Sequence, residues 1–262
     1  MKQIIPILVL VLALVKISSA GDLLVEADGF YDLRAIGFNE GTLLASATNI
    51  DKAIELYRAA IKNTSGPDKE EAIWKLMRAY YFKGRYTVSD KGARKAIYDK
   101  AKAIGAEGIK EFPESAAIHT WMAAIWGVWA EEHGTLKAAR KGVAGKIKKH
   151  CEKAIELDET FGGAGGYYIL GRTHFKAPKI PLILRWPSKK KAVELLEKAY
   201  EIEPRNLFTK QFLAEALYER GRKDRAIELM EGILGTHDVI VGVAEDAVIK
   251  SEVTETLKKW RK

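Results

Sequence analysis

A recurring order of small and large apolar residues is the feature that most restricts how this 262-residue chain can fold. In residues 192–204 (AVELLEKAYEIEP), Ala192, Leu196 and Ala199 follow helical spacing, and Pro204 stands where the helix must end. The alanines allow a second helix to approach closely, while the leucine fills the groove between the two helices. The next segment repeats this order at Leu213, Ala214, Leu217, Gly221, Ala226, Met230 and Ile233. The pattern predicts stacked helix pairs, because one such pair cannot bury its apolar face alone.

The order of these positions resembles the tetratricopeptide repeat, and more degenerate copies of it occur upstream. Candidate second helices contain residues 53–60, 88–111 and 150–159, and candidate first helices contain residues 73–86, 114–134 and 166–175. After residue 45 apolar residues recur every three or four positions, so the fold class is all-α. We expect a single right-handed α-solenoid of roughly four to five tetratricopeptide-like helix pairs over residues 21–262, with a C-terminal capping helix at residues 243–261.

The first twenty residues are typical of an export signal. Lys2 precedes an apolar run from Ile4 to Val15, and small residues end the segment at Ala20. Residues 1–20 are therefore predicted to be a signal peptide, with cleavage after Ala20 and release of a soluble protein into the periplasm or outside the cell. No cysteine follows Ala20 to carry a lipid anchor. An uncleaved anchor helix is the alternative, although the apolar run is short for a membrane span.

The net charge of +8 comes from two short stretches rather than from the whole chain. Residues 137–149 contain six basic side chains, residues 176–191 contain another six, and neither stretch contains an acid. The remainder of the chain is mildly acidic, which does not fit a nucleic-acid-binding protein. We therefore expect no nucleic-acid partner and two local basic patches.

No group of residues in the sequence predicts catalysis, a metal centre or a cofactor. The five histidines are scattered, and no pair has the spacing that places two metal ligands on one helix face. Cys151 falls at a core position of a repeat, which predicts a buried structural cysteine. The glycine run in residues 161–166 (FGGAGG) follows a helix and has no Lys-Ser or Lys-Thr after it, which favours a tight turn or a close helix contact over a phosphate loop. These features predict a binding protein rather than an enzyme.

The concave surface of the predicted solenoid is the first candidate binding site, because the first helices of such repeats line it. Tyrosine and arginine often anchor protein interfaces, since they combine a large contact area with a polar end. The alignment places the following residues there: Trp74, Arg78, Tyr81, Phe82, Tyr168, Arg172, Phe175, Phe208, Gln211, Glu215 and Tyr218. We predict a groove for a peptide segment, a partner surface or a small acidic or aromatic ligand. Packing between helices is the alternative for each of these residues.

An insertion at residues 176–191 is the second candidate, because it lengthens one repeat by nine residues. Three prolines prevent it from forming a long amphipathic helix. Its mixture of apolar and basic side chains suits a membrane surface or an acidic partner. The candidate contacts are Ile183, Arg185, Trp186, Lys189, Lys190 and Lys191. A cover folded back on the solenoid is the alternative.

Residues 116–134, 149–172 and 189–204 also resemble a narrower family. Their order, with the glycine run and the insertion between them, is similar to that of the T-component proteins associated with TRAP (tripartite ATP-independent periplasmic) transporters. More distantly, it resembles the regulators of microtubule dynamics. The resemblance covers most of residues 50–235, although Glu159 stands where a repeat proline is usual.

The first resemblance implies a non-enzymatic periplasmic adaptor that docks a transporter's solute-binding protein and handles its ligand. A general cell-envelope assembly scaffold, which binds peptides or proteins in its groove, is the alternative function. The sequence leaves open the identity of the ligand and the formation of a homo-oligomer.

Overall fold

The computed structural model describes residues 20–180 and 184–262, and within these ranges the chain is helical, with two isolated β-bridges and no longer strand. The predicted signal peptide lies outside the described residues except for Ala20, which begins the first helix. The helices are α1 (Ala20–Asp32), α2 (Thr48–Asn63), α3 (Gly66–Tyr86), α4 (Lys91–Glu111), α5 (Ala116–His133), α6 (Thr135–Arg140), α7 (Val143–Leu157), α8 (Phe161–Lys176), α9 (Lys189–Ile202), α10 (Leu207–Glu219), α11 (Lys223–Leu234) and α12 (Val243–Trp260).

The helices pack as consecutive pairs, which confirms the predicted α-solenoid. The pairs are α1 with α2, α3 with α4, α5 with α7, α8 with α9, and α10 with α11. The short α6 lies between α5 and α7, and α12 covers the last pair where a capping helix was predicted. The sequence pattern did not predict α1. No helix among the described residues is long and apolar enough to cross a membrane.

Side-chain caps fix where several of these helices begin. The side chains of Asp90, Ser115, Ser188 and Asn206 each accept a hydrogen bond from a backbone N–H in the first turn of α4, α5, α9 and α10. Such caps satisfy donors that would otherwise lack a partner at the helix start.

The repeat signature is seen most clearly where α8 crosses α9. Leu196 is fully buried, as are Ala192 and Ala199 on the same helix. A Cβ atom added at Gly171 would lie 2.7 Å from Cγ of Leu196, so only glycine allows this approach. The small and large positions of the sequence pattern therefore have the packing roles predicted for them.

The glycine run at the start of α8 forms a left-handed turn. Gly162, Gly163 and Ala164 have φ angles of 61°, 65° and 63°. A Cβ atom at Gly166 would lie 2.7 Å from Cγ1 of Ile155 in α7. The run thus provides both a tight turn and a close helix contact, as predicted.

The capping helix α12 also connects the two ends of the solenoid. Its first turn carries Glu245, whose carboxylate accepts a hydrogen bond of 3.0 Å from Nε of Arg34, in the segment after α1. Arg34 also donates to the carbonyl of Val241, just before α12. The helix then runs past α3 and α10, so it forms one wall of the inner surface.

Candidate binding groove

The inner surface contains an open groove of about 910 Å³, which we call the polar groove. It lies between α8, α10 and α12, with Arg85 of α3 and Glu131 of α5 at one end. Its lining residues are Arg85, Glu131, Arg172, Phe175, Lys176, Lys189, Gln211, Glu215, Tyr218, Glu219, Ser251, Glu252, Glu255, Thr256, Lys259 and Trp260. Five of them are basic and five are acidic, so the groove carries both charges in balance.

Ion pairs hold most of the charged groups of the groove in place. Nη1 of Arg172 donates to Glu215 over 2.7 Å, and Nζ of Lys176 lies 3.1 Å from the same carboxylate oxygen. These cations lower the pKa of Glu215 although its burial alone would raise the pKa. Arg85 bridges Glu131 and Glu252, and Lys189 pairs with Glu219.

Aromatic rings form the apolar part of the groove. Tyr218 of α10 stacks on Trp260 of α12 with ring centroids 3.9 Å apart and planes inclined by 5°. The guanidinium of Arg172 lies 4.2 Å from the ring centroid of Phe212, which fixes its orientation. The groove therefore offers oriented charges beside flat apolar surfaces, which suits a partner chain of mixed polarity.

Four of the predicted concave-face residues, together with Glu215, meet in the polar groove: Arg172, Phe175, Gln211 and Tyr218. Gln211 is buried, with 2% of its surface exposed, and its amide nitrogen donates to Glu252 over 2.9 Å. It therefore supports the wall formed by α12. The remaining three of these four residues are partly exposed.

The predicted residues of α3 do not line the groove, because they pack against neighbouring rings. Phe82 is only 1% exposed and lies between Tyr31 and Tyr86, so the prediction of a groove position for Phe82 is wrong. The guanidinium of Arg78 lies 3.8 Å from the ring centroid of Tyr31. These contacts hold Arg78 in the packing between α3 and α1, which belong to the first two helix pairs.

Trp74 and Tyr81 are also used in packing between repeats. Trp74 meets Phe161 edge to face at 5.7 Å, and Tyr81 meets Trp121 at the same distance. Burial raises the pKa of Tyr81 to about 12. Neither residue is among those that line the groove.

Tyr168 and Phe208 form an aromatic cluster between α8 and α10. Their rings stack at 6.3 Å, and both contact the ring of Phe212. Packing between helices, the alternative stated for these residues, is therefore what the structure shows. Phe212 was not among the predicted residues.

The groove residues that the sequence did not predict come mainly from α12 and from the charged ends of α3 and α5. Residues 243–261 were predicted only as a cap, because an apolar stripe indicates which face of a helix is buried and nothing about the partners of its polar face. The groove residues on the first helices were predicted by their aromatic and arginine content, so the acidic Glu131 was not predicted. Arg85 follows Gly84 of the repeat turn, and the repeat pattern does not distinguish it as a groove residue.

In the described part of the insertion, Trp186 is partly buried and packs against the core. The backbones of Ile180 and Leu184 form an antiparallel bridge, and Trp186 meets the ring of His174 edge to face at 4.7 Å. For Trp186 this packing fits the alternative of a cover folded back on the solenoid, although part of its surface remains exposed. Arg185 is exposed, whereas Ile183 lies outside the described residues.

The three lysines predicted for this patch lie in the first turn of α9 and are exposed. Lys189 pairs with Glu219 across the groove, while Lys190 and Lys191 approach Glu194 on their own helix. The patch is thus divided between the polar groove and the outer surface of α9.

Two histidines that are distant in sequence form a partly buried pair. Nδ1 of His119 in α5 lies 3.0 Å from Nδ1 of His150 in α7, and Nε2 of His119 lies 3.0 Å from the carbonyl of Pro113. Because a carbonyl only accepts, Nε2 of His119 carries a proton, and when the His119 ring is neutral its Nδ1 accepts from Nδ1 of His150. Protonation of both rings would place two N–H donors opposite each other and remove this hydrogen bond.

We expect the free energy of unfolding to fall as the pH is lowered from about 6.5 to about 4. Burial lowers the pKa of His150 to about 4, with further lowering by His119, Lys149 and Lys146. Burial also lowers the pKa of His119, where Lys153 and Lys149 act in the same direction and Glu114 opposes them. A histidine whose pKa is lower in the folded state binds its proton more readily when unfolded, so acid favours unfolding.

Chemical denaturation at a series of pH values measures this effect. His150→Gln should reduce the pH dependence between these limits, to which the lowered pKa of His174 also contributes, and the same change at the exposed His237 is the control. Equal pH dependence in the wild type and the His150→Gln protein would contradict the role of the pair.

Cys151 is fully buried and burial raises its pKa far above the ordinary value, as expected for a structural thiol. Among the described residues, no group of three or more histidine, cysteine, aspartate or glutamate side chains could hold a metal ion.

The solenoid of helix pairs and its inner groove define a tetratricopeptide-like helical repeat protein. Solved structures of this class share the fold. A thermophilic TPR protein in Thermus thermophilus has a TM-score of 0.62 at 15% identity, over 91% of this chain and 99% of that one. Yeast Tom70 has a TM-score of 0.55 at 18% identity, over 93% of this chain and 41% of that one.

The chain belongs to the regulator of microtubule dynamics protein 1-3 family, whose model matches residues 38–261. It is 33% identical over 130 residues to regulator of microtubule dynamics protein 3 of Mus musculus, and 31% identical over 129 residues to that of Rattus norvegicus. Each match spans 49% of this chain and 26% of the relative's length. The more distant of the two family resemblances in the sequence is therefore the one that the family match supports.

Proposed function

We propose that this protein is a non-enzymatic binding module that holds a segment of a partner protein in the polar groove. The observation that carries the proposal is the groove of about 910 Å³, with five basic and five acidic residues and a stacked aromatic pair. Tetratricopeptide-like architecture by itself supports binding and no particular chemistry, so the proposal depends on the groove residues.

The arrangement of charges favours a partner segment that also carries both signs. Arg172 and Glu215 are fixed by their mutual hydrogen bond, so they can orient a partner's polar groups with little loss of conformational freedom. Lys259 is exposed at the groove wall and forms no ion pair within the described residues, so its ammonium is free to bind a partner's carboxylate. Phe175 offers a partly exposed ring for an apolar side chain.

For the partner, we propose a solute-binding protein of a TRAP-type transporter in the periplasm, which the protein docks while it handles the ligand. Support for this partner comes from the sequence blocks at residues 116–134, 149–172 and 189–204, and from the signal-like residues 1–20. A cell-envelope assembly scaffold that binds proteins in the same groove is the second candidate. The family match favours a third source of partners, namely cytoskeletal proteins, because the relatives are named as regulators of microtubule dynamics.

Affinity capture of the tagged full chain from its native cells, with mass spectrometry, distinguishes these partners. A solute-binding protein or transporter subunit supports the transporter role, envelope machinery supports the scaffold, and cytoskeletal proteins support the third source. We expect Lys259→Ala and Arg172→Ala each to lower the affinity for the captured partner about tenfold, which is about 1.4 kcal/mol.

The matched control is Arg58→Ala, because Arg58 is exposed on α2 and lies outside the groove. Circular dichroism of each variant checks that the helical content is unchanged. Full affinity for the captured partner in both groove variants would show that the groove is not the binding site.

A further inference from the structure

The two basic stretches that are distant in sequence come together around a second cavity, which we call the basic cleft. It has a volume of about 260 Å³ and lies among α5, α6, α7, α8 and the start of the insertion. Its floor is formed mainly by small residues, among them Gly127, Ala130, Ala138, Ala139, Gly142 and Ala144. Ala138, Ala139 and residues 142–145 come from the first basic stretch, and Lys176, Ala177 and Pro178 come from the second.

Exposed cations without ion-pair partners lie in the segments that border this apolar floor, and two of them, Lys137 and Lys146, pack over the rings of Trp129 and Trp126. Beyond Arg172 and Lys176, seven lysine and arginine residues are each adjacent in the chain to a residue that lines the cleft; Lys148 pairs with Glu152, and the other six are exposed: Lys137, Arg140, Lys141, Lys146, Lys179 and Arg185. None of these six forms an ion pair within residues 20–180 and 184–262. The polar groove differs in this respect, since most of its cations are paired.

The size of the cleft limits what can enter it. Its volume is below the roughly 300–1,000 Å³ of sites that enclose a whole small molecule. The floor of glycines and alanines leaves room for one large apolar side chain, and Leu136, which is 74% exposed on α6, adds apolar surface beside it. The excess of unpaired positive charge around the cleft complements negative charge on either side of that apolar group.

We propose that the basic cleft binds an acidic peptide segment that inserts one large apolar side chain. The cleft shares Glu131, Arg172 and Lys176 with the polar groove, so a segment held in the groove continues into the cleft. The inference therefore rests on the proposed function and adds the chemistry of one part of the partner. The acidic residues of the segment contact the surrounding cations, and the apolar side chain fills the small-residue floor.

The test uses fluorescence anisotropy with the full chain and a labelled twelve-residue peptide in which aspartate and glutamate flank one phenylalanine. We expect this peptide to bind at least tenfold more tightly than the same peptide with the phenylalanine changed to alanine. A version with lysine in place of each acid should not bind. The affinity of the acidic peptide should fall as the salt concentration rises, because exposed charges are screened.

Two variants separate the charged and apolar parts of the cleft. Arg140→Glu combined with Lys146→Glu should weaken binding of the acidic peptide at least tenfold. Ala139→Leu fills the cleft and should remove the preference for phenylalanine over alanine. The control is Lys62→Glu combined with Lys100→Glu, which makes the same change in charge at exposed positions outside the cleft.

The outcomes distinguish this inference from the proposed function. Equal binding of the two acidic peptides, or full binding by the Arg140→Glu and Lys146→Glu protein, overturns the cleft proposal. If, in addition, Lys259→Ala still lowers affinity for the captured partner, the groove function stands without the cleft. Binding to anionic phosphatidylglycerol vesicles without binding to the acidic peptide also overturns the proposal, and identifies the basic residues as a membrane contact.

Discussion

Replacing Leu196 by alanine is expected to lower the free energy of unfolding by about 3 kcal/mol, within the range measured for leucine-to-alanine changes in protein cores. Leu196 is fully buried, and its side chain occupies the space that Gly171 leaves open between α8 and α9. Its removal leaves a cavity that α8 and α9 cannot close, because their backbones already meet through small residues. Urea denaturation followed by circular dichroism measures the change.

The matched control is Leu136→Ala, because Leu136 is 74% exposed. The same chemical change there should alter the free energy of unfolding by less than about 0.5 kcal/mol. A small effect at Leu196 would contradict the packing role that the repeat pattern assigns to it.

Arg34→Ala is expected to destabilise the protein by about 3 kcal/mol, because it leaves a buried carboxylate without its partner. The side chains of Arg34 and Glu245 are 11% and 7% exposed, and they join the segment after α1 to the first turn of α12. Arg34 also donates to the carbonyls of Tyr31 and Val241. We expect hydrogen exchange to accelerate in the first turns of α12, because this end of the helix loses its connection to the segment after α1 while the Arg85–Glu252 pair to α3 remains.

A double variant separates the cost of the unpaired charge from the value of the ion pair. Arg34→Met combined with Glu245→Leu should recover most of the lost stability, since apolar residues can replace a buried ion pair without a desolvation cost. The control is Lys258→Ala, whose ion pair with Glu255 is exposed and should contribute little to stability. If Arg34→Ala is no more destabilising than Lys258→Ala, the two ends of the solenoid are not held by this pair.

The candidate site was predicted only in part, and the reason lies in what a repeat pattern contains. Arg172, Phe175 and Tyr218 were assigned to the inner surface because their helices are regular first helices of a repeat, and the structure places them in the polar groove. Phe82 was assigned by the same argument but is buried against Tyr31, a residue of a helix that the pattern did not detect. A face of a helix can be predicted from spacing, whereas the neighbour that covers it can belong to any part of the chain.

The periodicity of the sequence by itself determined the helices from α2 to α11 other than the short α6, the pairing from α3 onward and the capping helix α12, because small and large apolar residues at helical spacing specify which neighbouring helices can approach closely. The sequence pattern also determined that Cys151 is buried and that the glycine run at the start of α8 forms a turn. Only the tertiary structure decided which polar groups meet: Arg85 with Glu252, His119 with His150, and the two basic stretches around one cleft. These contacts join residues that are distant in the chain, and their geometry depends on how successive pairs stack, which local spacing does not encode.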